Sequence, residues 1–447
     1  MSNLQTPFLG GFFCPYLCSM QMEKLYEIFL RFPQVQTDTR SLKQGEIFFA
    51  LKGPNFNGNK FAATAISMGA AAVVVDEEVG IEAENVFLVD DCLTTLQALA
   101  LHHRKQFDIP FIAITGSNGK TTTKELVHAV LSATFKTYTT KGNLNNHIGI
   151  PLTLLSIKKD AEMAIIEMGA NHQKEIEGYC RLALPTHGLI TNCGKAHLEG
   201  FGGVEGIRKG KGELFDYLSL SNGTAFINSD LDYLERMSEK IPHKVFYGNS
   251  KGAFTTSVLE TESLLGIKVC AEEMSCQKIF SKLVGSYNKP NIEAAICIGR
   301  HFSIAFDKIR TAIEDYSPDN ARSQMIKRGS NTIILDAYNA NPSSMEVAVE
   351  NFSKMEAEKK YLFLGGMMEL GADSVNEHQQ LIRLLESLKL KNTILVGGDF
   401  VKVQHSFLYF DNTEKAGVWL KGNKPSEAHI LMKGSRSIKI EKLLELL

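Results

Sequence analysis

A short polar loop with two glycines and a lysine is the stretch of the sequence most suited to chemistry. It runs from Ile114 to Glu125 and reads ITGSNGKTTTKE. Glycines permit a tight turn whose backbone N–H groups face an anion, and Lys120 adds a positive charge for terminal phosphates. Thr121 or Thr122 offers a hydroxyl to Mg²⁺. The pattern predicts a phosphate-binding loop, with an ordinary strand–turn–helix connection as the alternative.

A carboxylate and an imidazole follow the next two predicted strands. Glu167 ends the strand AIIEMG, and His197 lies in TNCGKAHLE, a few residues beyond the strand after it. Since the carboxyl ends of parallel strands meet at one sheet edge, Glu167 is placed to hold Mg²⁺ beside the loop, and His197 could share a metal with it. A solvated glutamate and a structural histidine are the alternatives.

Five further polar residues are candidates on weaker grounds. Lys211 lies in the charged helix segment RKGKGEL, where a solvated face is the ordinary interpretation. Asn288 and Asn291 begin a helix, so they are either caps or contacts to a nucleotide base. Asp336 ends a strand, and Arg322 could reach a phosphate in a cleft between domains.

Strands and helices alternate along most of the chain. After PFIAIT and the loop come a helix, MAIIEMG, a helix and THGLITN, and the alternation returns from NTIILD onward. This order predicts an α/β fold with parallel sheets. Breaks near Phe107 and Ser317 predict three domains, at residues 22–107, 108–316 and 317–447. We interpret residues 1–21 as a tail, either disordered or derived from a start codon assigned too early.

Composition narrows the class of protein. The 447 residues are 44% hydrophobic and carry a net charge of −2, which gives no electrostatic case for binding nucleic acid or an anionic membrane. No apolar run reaches the roughly 18 residues of a membrane span. The eight cysteines form no CxxC pair, so we expect reduced, mostly buried thiols in a cytoplasmic protein.

A set of motifs taken together resembles the Mur ligase family. They occur in this order: TGSNGKTTTKE, GNLNNHIGIPLTLL, IIEMGANH, LITNCGKAHLEGFGGVEGIRKGKGE, YNKPN, LDAYNANPSSM, GGMMELG and LMKGSRS. The resemblance covers nearly all of residues 22–447, and TDTRSLKQGEIFFALKG resembles the family's uridine-nucleotide domain. It implies a small α/β uridine-nucleotide domain, a central ATPase domain of P-loop type and a Rossmann-like C-terminal domain.

The resemblance also implies a reaction. The family uses ATP to convert a substrate carboxylate into an acyl phosphate, from which an incoming amine displaces phosphate. The patterns ANPSSM and MMELG point to the member whose substrates are UDP-N-acetylmuramoyl-tripeptide and D-alanyl-D-alanine. ATP and two Mg²⁺ ions are the implied cofactors, and we expect a monomer.

Residue roles follow from the resemblance position by position. Lys120 would hold phosphates, Thr121 and Thr122 the first Mg²⁺ with Glu167, and His197 the second Mg²⁺ together with a carbamylated Lys211. The remaining positions are implied in ATP or substrate binding. For ATP they are Gly116, Ser117, Asn118, Gly119, Lys120, Thr121, Thr122, Asn288, Asn291, Arg322 and Asp336. For the substrate they are Thr39, Arg40 and Ser41 near the uridine diphosphate, and Asn145 and Asn146 in the cleft.

Three departures and three alternatives remain. The family's Asp-Gly-His stretch is Asn57-Gly58-Asn59 here, and Ala321 and Ala337 stand where the family has other residues. A folylpolyglutamate synthetase-like ligase, a non-catalytic nucleotide-binding regulator and a kinase are the alternatives. The uridine-binding segment argues against the first. The complete set of chemistry-bearing residues argues against the second, and the separate C-terminal α/β domain argues against the third.

Overall fold

The computed structural model describes residues 15–259, 264–318 and 321–447. By its contacts the chain divides into two compact units. Of the described residues, the first unit comprises 15–108 with Ile148–Lys159, and the second comprises Ile109–His147 with 160–259, 264–318 and 321–447. Among the described residues, no helix is long and apolar enough to cross a membrane.

The N-terminal part of the chain forms a small parallel sheet. Its strands follow the order β1-β2-β5-β6, and the apolar runs of β2 and β5 are fully buried, as their sequences predict. The third helix, α3, begins after Asp91, whose carboxylate accepts the Thr94 N–H at 2.6 Å. The elements are α1 (Pro15–Arg31), β1 (Val35–Gln36), β2 (Ile47–Phe49), β3 (Lys52–Gly53), β4 (Phe56–Asn57), α2 (Ala62–Ser67), β5 (Ala72–Val75), β6 (Val86–Leu88) and α3 (Cys92–Arg104).

Helix α1 begins at Pro15, within the tail that was expected at residues 1–21. Residues 1–14 of the expected tail lie outside the described residues.

The central part contains a six-stranded, fully parallel sheet with the order β12-β11-β10-β7-β9-β8. Strand β7 lies between β9 and β10, so the strand order reverses at β7, where open α/β sheets form a crevice. The elements are β7 (Phe111–Thr115), α4 (Lys120–Ser132), β8 (Thr137–Thr139), α5 (Gly149–Leu155), β9 (Met163–Glu167), α6 (Glu175–Ala183), β10 (His187–Ile190), α7 (Leu198–Phe201), α8 (Val204–Leu220), β11 (Thr224–Asn228), α9 (Asp232–Met237) and β12 (His243–Tyr247). Helix α5 belongs to the first compact unit.

An antiparallel sheet interrupts the alternation of strands and helices between β12 and the helix at NKPN. It consists of β13 (Thr255–Leu259), β14 (Leu264–Ala271) and β15 (Met274–Val284), before α10 (Lys289–His301) and α11 (Phe306–Asp315). Its apolar face joins the core of the central sheet through Ile267 and Ile279. Over residues 278–283 of β15, exposed and buried residues alternate with the two-residue period of a half-buried strand.

The C-terminal part forms a second six-stranded sheet, with the order β16-β17-β21-β18-β19-β20. Only β16 runs antiparallel to its neighbour. The elements are β16 (Gln324–Arg328), β17 (Asn331–Asp336), α12 (Pro342–Lys354), β18 (Lys360–Gly365), α13 (Ser374–Ser387), β19 (Thr393–Val396), β20 (Leu408–Phe410), α14 (Thr413–Gly422) and β21 (His429–Lys433). A capping box of Asn341 and Ser344 begins α12, with Pro342 in its first turn.

The cysteines correct one expectation. Cys270 and Cys276 form a disulfide that joins β14 to β15. Four others are free and buried as expected, namely Cys92, Cys180, Cys193 and Cys297. The prediction of reduced thiols was wrong for the pair because the hairpin, which the sequence reasoning did not include, brings the two positions opposite each other. Cys14 and the side chain of Cys18 lie outside the described part of the chain.

Candidate active site

The phosphate-binding loop leaves the buried strand β7 and enters helix α4 at the centre of the sheet. Gly119 has φ +80°, and a Cβ atom there would lie 2.6 Å from the Asn291 Oδ1 atom. At Gly116, where φ is +141°, a Cβ atom would lie 2.0 Å from the Thr191 Oγ1 atom. Both positions therefore require glycine, and the turn they permit aims the amino end of α4 at an anion.

Lys120 lies folded against its own loop. Its Nζ atom donates hydrogen bonds to the Gly116 carbonyl at 2.5 Å and the Ser117 carbonyl at 3.2 Å. Burial lowers the pKa of this amine to about 8, with Glu167 opposing the shift and Arg322 adding to it. A phosphate group would favour the charged form and give the ammonium a better partner than these carbonyls.

Glu167 ends β9 and is only 1% exposed. Its Oε1 atom accepts hydrogen bonds from Thr121 Oγ1 at 3.1 Å and Asn145 Nδ2 at 2.7 Å. The Oε2 atom is buried and has no hydrogen-bond partner among the described residues. An unpartnered carboxylate oxygen beside a threonine hydroxyl fits Mg²⁺, which prefers oxygen ligands and completes its shell with water and phosphate oxygens. No cluster of three or more His, Cys, Asp or Glu side chains suited to a metal occurs in the described ranges.

His197 precedes helix α7 with φ +54° and faces the C-terminal part of the chain. Its Nδ1 atom lies 2.5 Å from the Glu369 Oε2 atom, the distance of an ion pair when the ring is protonated. The histidine lowers the pKa of the Glu369 carboxyl below its usual value. Glu369 belongs to the GGMMELG motif, but the sequence reasoning assigned it no role.

Lys211 is 1% exposed, on the inner face of α8. Its Nζ atom donates to the Ala170 carbonyl at 3.0 Å and lies 4.9 Å from the centre of the Phe201 ring. Burial, together with the nearby charge of Lys120, lowers its pKa to about 7. The charged segment RKGKGEL is therefore not uniformly solvated, because its second lysine is buried.

The two asparagines of YNKPN are hydrogen-bonded to each other, and Asn291 is also hydrogen-bonded to the first turn of α4. Asn291 donates to Asn288 Oδ1 at 2.8 Å and accepts from Thr123 Oγ1 at 3.0 Å, while Asn288 donates to the Val284 carbonyl. Asn288 occupies the N-cap position of α10, but its side chain makes no capping hydrogen bond. The interpretation of Asn288 as a helix cap is therefore wrong for its side chain.

Two residues of the C-terminal part have partners that the sequence reasoning missed. The Arg322 guanidinium carbon lies 3.7 Å from the centre of the Tyr338 ring. Asp336 Oδ2 lies 2.6 Å from the Nζ atom of Lys433, which is almost fully buried. Since β17 pairs with β21 and Asp336 is opposite Lys433 in the register, the sheet itself brings this pair together.

One cavity of about 780 Å³ collects most of these residues within the second compact unit. Of the predicted site residues in that unit, the ones that line it are Ser117, Asn118, Gly119, Lys120, Thr121, Thr122, Asn145, Asn146, Glu167, His197, Asn288, Asn291, Arg322 and Asp336. Gly116 and Lys211 do not line it, although Lys211 contacts the lining residue Ala170. The volume falls in the range of about 300–1,000 Å³ typical of small-molecule sites.

The C-terminal part closes one side of this cavity through direct hydrogen bonds to the phosphate loop. Asn118 Nδ2 donates to Ser343 Oγ at 2.9 Å, and Asn118 Oδ1 accepts from Asn341 Nδ2 at 2.8 Å. Both partners lie at the amino end of α12, in the ANPSSM motif. A movement of the C-terminal part would therefore break hydrogen bonds to the phosphate loop.

The three uridine-site candidates lie in the first compact unit, on the loop between β1 and β2. Arg40 is exposed and pairs with Asp38 at 2.6 Å. Ser41 is also exposed, and Thr39 is partly buried.

The arrangement defines a nucleotide-dependent α/β enzyme, and comparison with known proteins gives its family. Family models match three consecutive regions: the Mur ligase family catalytic domain at residues 31–105, the Mur ligase middle domain at 114–299 and the Mur ligase glutamate ligase domain at 321–436. The chain belongs to the Mur ligase family. The three-domain α/β fold expected from the sequence is confirmed.

Several similar proteins carry the name of the same enzyme. The UDP-N-acetylmuramoyl-tripeptide–D-alanyl-D-alanine ligase of Bacillus subtilis is 34% identical, with 92% of each chain covered. The enzyme of the same name from Escherichia coli is 35% identical over 81% of each chain. Among solved structures, MurF from Acinetobacter baumannii has a TM-score of 0.83 at 29% identity, covering 92% of each chain. The MurF ligase of Thermotoga maritima, solved in complex with ADP, also has a TM-score of 0.83, at 26% identity over 92% of this chain and 96% of that one.

Proposed function

We propose that this protein is an ATP-dependent amide ligase that adds D-alanyl-D-alanine to UDP-N-acetylmuramoyl-tripeptide. The products are UDP-N-acetylmuramoyl-pentapeptide, ADP and phosphate, which is a step of peptidoglycan precursor synthesis. The observation that carries the proposal is the single cavity in which the phosphate loop, Lys120 and the unpartnered oxygen of Glu167 meet. The relatives at 34% and 35% identity supply the substrates.

The chemistry needs two steps because a carboxylate is a poor electrophile. A carboxylate oxygen of the tripeptide attacks the γ-phosphorus of ATP, and ADP leaves. The amine of the dipeptide then attacks the acyl carbon, phosphate leaves, and the nitrogen loses a proton to give the amide. Both steps bring anions together, so Lys120 and the amino end of α4 screen charge and stabilise what develops at the transferred phosphoryl group.

Two Mg²⁺ ions belong to the proposal. Thr121, Thr122 and Glu167 would hold the first, and His197 with Lys211 as its carbamate would hold the second. When bound, the ions neutralise phosphate charge and act as Lewis acids. The contact of Glu167 with the Thr121 hydroxyl and the depressed pKa of Lys211 support these assignments, because only a neutral amine reacts with CO₂ to form a carbamate.

The remaining assignments follow the same division of labour. Asn288 and Asn291 lie near the base of ATP, Arg322 and Asp336 contact it from the C-terminal domain, and Asn145 and Asn146 line the substrate cleft. The loop Thr39–Ser41 binds the uridine diphosphate. The proposed domains are residues 22–107, 108–316 and 317–447, in a cytoplasmic monomer that does not bind nucleic acid.

The test is phosphate release by the purified protein with ATP, Mg²⁺ and UDP-N-acetylmuramoyl-tripeptide. We expect release to depend on D-alanyl-D-alanine and mass spectrometry to find the UDP-linked pentapeptide. The tripeptide should be supplied in both its diaminopimelate and its lysine form. Absence of product with either tripeptide, while ATP still binds, would overturn the substrate assignment and favour a folate-type ligase or a nucleotide-binding regulator.

A further inference from the structure

A second cavity, of about 340 Å³, adjoins the 780 Å³ cavity at the phosphate loop, which we call the ATP cavity, in the same compact unit. We call it the side cavity. It shares Cys193, Gly194 and Ser343 with the ATP cavity, so the two spaces meet at these residues. Gly194 has no side chain at this junction, where a Cβ atom would lie 2.8 Å from the Ser343 Oγ atom.

The side cavity has one ion pair. Lys195, directly after Gly194, lies with its Nζ atom 2.7 Å from the Oε1 atom of Glu377 in α13. Glu377 is only 6% exposed, whereas the Lys195 side chain is 42% exposed. A buried carboxylate with a single lysine partner holds that lysine in place, and an ammonium has three N–H donors, so donors remain for a second anion.

Apolar side chains form part of the rest of its wall, which also includes the exposed side chains of Glu346 and Gln380. Val204 begins α8, Met367 follows β18, and Leu381 and Leu384 lie on α13. The cavity thus combines a small apolar surface, the Lys195 cation paired with Glu377, a second carboxylate at Glu346, and a junction with the cavity of the phosphate loop. Its volume is in the range that small ligands occupy.

We propose that the side cavity binds D-alanyl-D-alanine as the attacking amine, which rests on the function proposed above. The Lys195 ammonium binds the terminal carboxylate, the two methyl groups contact the apolar wall, and the amine points through the opening beside Gly194 and Ser343. An extended dipeptide spans about 7 Å, which suits a carboxylate held at Lys195 and an amine at the neighbouring opening. Lys195 is a substrate-binding residue here, and Glu377 is the residue that positions it.

The competing interpretation is that Lys195 and Glu377 only join the central and C-terminal parts. The experiment compares Lys195→Met with the wild type at saturating ATP and UDP-N-acetylmuramoyl-tripeptide. Each protein is assayed with D-alanyl-D-alanine and with D-alanyl-D-alaninamide, in which a neutral carboxamide replaces the carboxylate. In the wild type we expect the carboxamide to raise KM about 10- to 100-fold, the loss expected for a hydrogen bond between charged groups.

The decisive result is non-additivity between the substrate change and the protein change. Lys195→Met should raise KM for the dipeptide by a similar factor, yet leave KM for the carboxamide near its wild-type value. Lys195→Arg should retain most of the affinity because it keeps the charge. Lys402→Met is the matched control, since Lys402 pairs with Asp399 at 2.8 Å and lines neither cavity.

A partial reaction separates failure of this inference from failure of the proposed function. Without dipeptide, hydroxylamine traps the acyl phosphate as a hydroxamate, and we expect Lys195→Met to trap as much as the wild type. Equal wild-type KM values for the two dipeptides, or an equal rise for both in Lys195→Met, would overturn the subsite while the ligase assignment stands. Absence of hydroxamate and pentapeptide in the wild type would overturn the ligase assignment itself.

Discussion

At the scale of single residues, the site depends on charges held away from water. Lys120 and Lys211 have pKa values lowered by burial, and Glu167 keeps one oxygen without a partner in the described part of the protein. Each arrangement is costly in the absence of a ligand and favourable once phosphate, a cation or CO₂ supplies the missing partner. These residues are therefore where substitutions separate binding from folding.

Lys120→Met should reduce phosphate release about 10²- to 10³-fold in kcat, the loss seen when a donor to developing charge is removed. The fold should survive because methionine is unbranched and only one atom shorter than lysine, and it leaves no buried charge. Steady-state phosphate release and circular dichroism test the two statements. Lys136→Met is the control, since Lys136 is exposed, and comparable rates for Lys120→Met and wild type would contradict the role.

Carbamate formation at Lys211 should depend on pH with a definite sign. A pKa of about 7 means that the neutral, reactive amine predominates above pH 7 and disappears below it. With ¹³C-labelled bicarbonate, the carbamate signal in a ¹³C NMR spectrum should grow from pH 6 to pH 8 and be missing in Lys211→Met. A wild-type spectrum without that signal at pH 8 would argue that the lysine remains an amine.

At the scale of elements, the position of the site follows from strand order. Strand β7 has β9 on one side and β10 on the other, so the phosphate loop, Glu167 and the segment leading to His197 emerge at one edge of the sheet. The alternation of strands and helices predicted this edge. It did not predict the antiparallel sheet β13–β15 or the disulfide within it.

The conformation of the turn between β7 and α4 predicts that Gly119 cannot be replaced without loss of function. Gly119→Ala should destabilise the protein by about 1–3 kcal/mol and abolish ATP binding, since φ is +80° and the new methyl would meet Asn291. Gly178→Ala on α6 is the matched control, because its methyl has no heavy atom within 4 Å. It should be neutral or stabilising by about 0.5–1 kcal/mol. Chemical denaturation and ATP titration measure both, and normal ATP affinity in Gly119→Ala would count against the loop.

A cluster of aromatic side chains lies between the carboxyl end of α10 and strand β10. We expect it to make the stability of the protein depend on pH. His187 stacks against Phe226 and contacts His301, and burial lowers its pKa to about 4, with His301 adding to the shift. The His187 imidazole binds a proton near pH 6.5 in the unfolded chain but only near pH 4 in the folded chain. The protein therefore loses stability as the pH falls between these values. The loss approaches about 3 kcal/mol.

His187→Phe should remove that part of the pH dependence while keeping the aromatic packing. The measurement is the free energy of unfolding in urea at pH 7.0, 6.0, 5.0 and 4.5 for both proteins. We expect the gap between the two curves to shift in favour of the variant as the pH falls. Parallel curves would show that His187 titrates alike in both states.

At the scale of the molecule, the central and C-terminal parts meet over the phosphate site. Asn118 bonds to Asn341 and Ser343, Lys195 to Glu377, and His197 lies beside Glu369. These contacts are polar, which is typical of interfaces that open and close around ligands. We infer that ATP and the UDP-linked substrate together favour the closed arrangement.

Closure should be visible in solution. Small-angle scattering should show a smaller radius of gyration when ATP and UDP-N-acetylmuramoyl-tripeptide are both present than with either alone. Asn118→Ala should weaken this compaction, because it removes both hydrogen bonds to α12. An unchanged radius with both ligands at saturating concentration would contradict closure.

The sequence by itself determined the parts whose signals are local. A glycine-lysine-threonine loop after a buried strand, strand-end carboxylates and the order of eight motifs are properties of short segments, so the family and the core of the site could be predicted from them. Only the tertiary structure decided the pairs made across the fold. Lys433 opposite Asp336, Glu369 beside His197 and Lys195 with Glu377 join residues far apart in the chain. Their contacts depend on sheet register and on the packing of two domains, which no single segment encodes.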